Sequence, residues 1–91
     1  LEPIEESVRL KAWPNPISDQ LNLHLETDRS LKASLLLYNL QGQIVREIPV
    51  QVYQAGQHQL RLGKLDKLSA GIYQYRLVSD RGNVAGLIIK R

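Results

Sequence analysis

The stretch "QLNLHLE" (residues 20–26) sets a leucine against a polar residue at each step. Successive side chains of an extended chain point to opposite faces, so Leu21, Leu23 and Leu25 share one face and Asn22 and His24 the other. "HQLRL" (58–62) repeats the device with Leu60 and Leu62 against Gln59 and Arg61. In "IYQYRLVS" (72–79), Tyr73, Tyr75 and Leu77 stand against Gln74 and Arg76. No long segment carries an apolar stripe at the helical period of about 3.6 residues. The chain is therefore read as all-β, built of strands with one dry and one wet side.

The pattern predicts seven strands, at residues 8–13, 20–26, 32–39, 43–48, 58–62, 71–79 and 83–90. The three consecutive leucines of "KASLLLYN" place the third strand either under cover on both faces or at the centre of its sheet. "NLQGQ" puts Asn39 at the start of a type I turn and Gly42 where a bulged hairpin needs positive φ, and "SDRGN" repeats the arrangement with Gly82. Each turn joins neighbouring antiparallel strands. "PVQVYQAGQ" and "GKLDKLSAG" read as longer connections that cross between sheets. Hairpins and crossings together predict an immunoglobulin-like, two-sheet antiparallel β-sandwich.

At 91 residues the chain has room for one core. Without Cys, Met or Phe, that core is aliphatic and relies on packing and hydrogen bonding. No apolar run reaches the roughly 18 residues of a membrane-spanning helix. The opening "LEPIEESVRL" lacks the basic and apolar regions of a signal peptide and an initiator Met, so a piece of a longer protein is expected. The net charge of +3 is spread over 12 scattered cations. Nucleic-acid binding, which favours a basic stripe interleaved with stacking aromatics, is not expected.

Candidates for chemistry are few. His24 lies on a polar strand face and His58 near a strand start, without metal-ligand spacing, so neither a metal nor another cofactor is expected. Ser18–Asp19 and Asp66 read as turn chemistry. There is no nucleophile with its base, no supported carboxylate pair and no phosphate loop, so the chain is not read as an enzyme. Trp13, Tyr38, Tyr53, Tyr73 and Tyr75 offer rings that could hold a sugar. Tyr73 and Tyr75 share the leucine phase and are assigned to the core, while Trp13 either caps the core or stands exposed. A sugar platform is not indicated by the sequence.

Three stretches, "WPNPISDQLNL" (13–23), "LYNLQGQIV" (37–45) and "LDKLSAGIYQYRL" with the closing "GLIIKR", together resemble one family over residues 12–91. That family is the C-terminal sorting domain, type A, of the type IX secretion system of Gram-negative bacteria. Trp13 and Ala85–Gly86 are mild departures from its pattern. The resemblance implies that an attached cargo enters the periplasm, is directed across the outer membrane, and is freed from the domain by a sortase-like cysteine protease for cell-surface attachment or release. It also implies an outer-membrane shuttle protein and a translocon as partners, beside the upstream cargo domain. An accessory module of a secreted enzyme, binding carbohydrate or protein, is the competing reading.

Each motif has a folding role as well. Pro14 and Pro16 fix φ and disfavour helical geometry at Trp13 and Asn15, so the first strand must end there. Asn15 is expected to accept a bond from the turn it starts. Gly42, Leu68, Gly71, Tyr73 and Gly82 are assigned mainly structural parts. Lys90 and Arg91, taken as two exposed cations that contribute little to a sheet, are expected to be recognised, with Pro14, Asn15 and Pro16 as the second candidate signal. Residues 1–7 read as a linker from the cargo and residues 8–91 as the sorting domain. The sequence leaves open whether the domain pairs as a homodimer.

Overall fold

A computed structural model describes residues 8–91. The linker assignment at residues 1–7 lies outside them. Seven strands follow in order: β1 (Val8–Trp13), β2 (Leu21–Thr27), β3 (Leu31–Tyr38), β4 (Ile44–Tyr53), β5 (Gly56–Leu62), β6 (Gly71–Ser79) and β7 (Gly82–Lys90). They form a three-stranded sheet, β1-β2-β5, and a four-stranded sheet, β4-β3-β6-β7, with antiparallel neighbours throughout. The sandwich is immunoglobulin-like, with one difference from the constant-type arrangement, which keeps the fourth strand beside the first, second and fifth. Here β4 stays with β3.

The alternation in the sequence becomes the core. Leu21, Leu23 and Leu25 of β2 face Leu31, Leu35 and Leu37 of β3, with Leu77 and Ile88 completing the four-stranded side. Burying each such side chain is worth about 1.5–3 kcal/mol relative to exposure. β3 is the strand with three leucines and it lies between β4 and β6, so its position is central. Leu36, on the other face, is only half-buried. Inside the core rim, burial pushes the Tyr53 hydroxyl above its usual 10.0, and the hydrogen bond from Gln51 Nε2 opposes the shift.

Both predicted hairpins form. Asn39 Oδ1 accepts from the backbone N–H groups of Gln41 and Gln43, each at 3.0 Å, and Gly42 takes φ of 84°. Ser79 pairs with Gly82 at the second hairpin, and Ser79 Oγ donates to the Gly82 carbonyl at 2.6 Å.

One connection differs from the sequence reading. "PVQVY" is not a loop, because β4 continues through Tyr53. Pro49 and Val50 stand opposite Ser34 alone, in a register shift between Ala33 and Leu35. A proline lacks a ladder donor but is tolerated at a bulge on an edge strand, which is where Pro49 sits. The crossing to β5 then takes only Gln54 and Ala55.

Candidate functional site: the proline turn and the last strand

β1 stops at Trp13, as the prolines require, and the Trp13–Pro14 and Asn15–Pro16 peptide bonds are both cis. The turn then runs along the outer edge of β7. Asn15 Oδ1 accepts the backbone N–H of Ile89 at 3.0 Å. Ile17 N–H donates to the Ile89 carbonyl at 2.8 Å, and Arg91 N–H donates to the Ile17 carbonyl at 3.2 Å. Ile17 and Lys90 thus form a short parallel bridge, and the Ile17 side chain is fully buried beneath it.

Asn15 therefore does not cap its own turn, as expected from sequence, but reaches a strand 74 positions away. Its carboxamide satisfies an edge N–H that β6 cannot reach, a bond worth about 1 kcal/mol. The two regions singled out separately, Pro14–Asn15–Pro16 and Lys90–Arg91, are bonded side by side along the edge of β7.

Lys90 is a correction. It is only 7% exposed, because it shares the inward phase of Ile88 and lies across from Gly71. Its ammonium reaches the rim and donates to the Arg91 carbonyl at 2.7 Å. An aliphatic stem under cover with its charge at the rim is the usual compromise for lysine. The exposed cation at the end of the strand is Arg91.

Tyr73 is buried on β6, and its hydroxyl donates to the Ser69 carbonyl four residues upstream at 2.6 Å. This is the tyrosine corner of immunoglobulin-like folds, which pins the connection between the fifth and sixth strands. Leu68 closes the short 3-10 turn Leu65–Lys67 through its N–H to the Leu65 carbonyl and packs on the core. Gly71 has φ of 153° and Gly82 of 113°, outside the usual range of residues with a side chain. Gly86 went unassigned from sequence. It lies opposite Tyr75, and a Cβ there would overlap the tyrosine ring.

A concavity lies on the outer face of the three-stranded sheet. Trp13, 41% exposed, shares a rung with Asn22 and Arg61. With Gln20, Gln59 and Leu60 they line an open cleft of about 510 Å³. His24 Nδ1 lies 3.2 Å from Gln59 Oε1. His58 Nε2 lies 2.7 Å from the Gln54 carbonyl, with its ring edge-on to Tyr53. Ser18 and Asp19 differ from the backbone-capping role expected of them: the Ser18 hydroxyl donates to the Asp19 carboxylate.

A search of curated proteins gives no match. The family model for the secretion system C-terminal sorting domain matches residues 11–91. That span includes the proline turn, both hairpins and the last strand, and the chain belongs to the family of type IX secretion C-terminal sorting domains.

Proposed function

We propose that the domain carries its cargo across the outer membrane by presenting the joined surface of Pro14–Pro16, Ile89 and Arg91 to the type IX machinery. The observation that supports this reading is the Asn15–Ile89 hydrogen bond together with the Ile17–Lys90 bridge. Two rigid prolines, one exposed isoleucine and one exposed cation are held in fixed relation by main-chain contacts, so a receptor meets a preorganised patch. The shuttle protein and translocon are the proposed readers of this patch. Transit through the periplasm, removal by a sortase-like cysteine protease ahead of residue 8 and surface attachment of the cargo complete the proposal. Residues 8–91 act in it as one folded signal without catalytic work of their own.

The test fuses residues 1–91 to a periplasmic reporter in a host with this secretion system and follows the reporter by fractionation. Arg91→Glu reverses the exposed charge and keeps the backbone bond to Ile17. The expected result is loss of surface reporter with a melting temperature unchanged, since surface substitutions cost within about 0.5 kcal/mol. Surface reporter at the wild-type level from a stably folded Arg91→Glu fusion would sink the assignment.

The Trp13 cleft favours the second reading, an accessory carbohydrate-binding module. An exposed indole beside amides and a guanidinium is the chemistry of sugar recognition. Glycan arrays with the wild type and Trp13→Ala separate the two: saturable binding lost with the indole supports the module, and its absence leaves sorting.

A further inference from the structure

The four edge strands of the sandwich are not protected alike. A free edge presents a row of unpaired N–H and C=O groups, and proteins blunt it with charge, proline, bulges or cover. β1 carries Arg9 and Lys11, and Pro14 follows its end. β4 carries Arg46, Glu47, Pro49 and its bulge. β5 carries Arg61. β7 is different: from Gly82 to Ile89 it reads "GNVAGLII", with neither charge nor proline. Its register with β6 is unbroken from Gly82 to Lys90.

Alternation fixes which groups are free. Ile89 turns its N–H and carbonyl away from β6, toward Asn15 and Ile17. With a two-residue period, Asn83, Ala85 and Leu87 turn theirs the same way. Among the described residues nothing pairs with those outward groups. The last rungs of the same edge are already occupied, because Ile17 lies along it as a fragment of added strand. The chain thus extends its own sheet at the rungs of Ile89 to Arg91, and the outward groups before them stay open.

We infer that the Asn83–Leu87 edge of β7 is a strand-addition site, which takes an extended, uncharged segment of about five residues from a protein of the export machinery. The commitment to a protein strand rests on continuity with the Asn15–Ile17 segment and on the absence of charge along the edge. The added strand continues the rungs that Ile17 begins, and its outward side chains lie beside Ala85 and Leu87. Leu87 is 64% exposed there and Ile72 and Ile89 are exposed nearby, so apolar side chains at alternate positions fit the surface. The inference rests on the sorting reading and extends its contact surface along the strand.

The experiment uses the same reporter fusion. Ala85→Pro removes an outward N–H and leaves the bonds to β6 in place, since proline is tolerated on an edge whose N–H faces solvent. Ala85→Lys keeps every backbone group and adds a blunting charge, so it carries the test if the proline variant does not fold. Ala85→Thr keeps both the N–H and strand propensity. The expected result is a loss of surface reporter of about tenfold or more for the proline and lysine variants, with unchanged melting, and full export for threonine. Full export of a folded Ala85→Pro or Ala85→Lys fusion overturns the inference. Failure of the wild-type fusion to reach the surface would instead count against the sorting reading. Sedimentation of the purified chain completes the test: a dimer dissolved by Ala85→Pro, with export intact, would assign the edge to a second copy and overturn the proposal.

Discussion

Across the rung Trp13–Asn22–Arg61 the three-stranded sheet shows solvent an indole, an amide and a guanidinium, whereas across Ile72–Ile89 the four-stranded sheet shows two isoleucines. The inner faces are alike, both leucine-rich and buried at their centres. Burial imposes the same chemistry on two surfaces that meet in one core, but the outer faces are under no such constraint. A solvated face is satisfied by polar residues such as His24, Gln59 and Glu26. Exposed Ile72, Leu87 and Ile89, neighbours on β6 and β7, gain nothing from water, and apolar residues grouped on a surface are typical of interaction sites. Folding thus dictates the chemistry of the inner faces and leaves that of the outer faces free.

The largest test concerns the inner faces, which should be equivalent. Leu23→Ala on the three-stranded sheet and Leu35→Ala on the four-stranded sheet should each cost about 2–5 kcal/mol in denaturant unfolding, because both side chains are fully buried. A loss under about 1 kcal/mol at either site would mean that one sheet does not share the core.

A smaller effect is expected where the chain passes from one sheet to the other. Tyr73→Phe removes the hydroxyl that holds the Ser69 carbonyl and should cost about 1 kcal/mol, a fall in Tm of about 4–8 °C. An unchanged Tm would show that the corner is held by packing alone.

The smallest stability effect, and the sharpest contrast, belongs to the outer faces. Leu87→Lys and Gln59→Lys should both leave folding within about 0.5 kcal/mol, since both residues are exposed. Only Leu87→Lys should reduce surface delivery of the reporter. Equal effects of the two on delivery would erase the distinction between the faces.

Much of the fold was legible because the relevant physics is local. The alternation at 20–26 gives the inward face of β2 without reference to any other strand, and Asn39 with Gly42 specifies a turn through its own backbone. The strand at 44–53 was harder, since Pro49 locally argues against a strand. Whether it is tolerated depends on where in the sheet β4 lies, and β4 lies at an edge.

The candidate site was legible as residues but not as a surface. Pro14–Pro16 and the chain end could be named from the sequence. Their junction depends on which sheet edge the turn meets, and no local pattern encodes a bond between Asn15 and Ile89. The same reason explains Lys90, whose charge suggested exposure while its phase with Ile88 carried it inward. The amino-acid order thus sets period, turns and the composition of the core, each a property of a few neighbouring residues. The burial of Lys90, the place made by Gly86 for Tyr75 and the open edge of β7 arise only when segments far apart in the chain are brought into register.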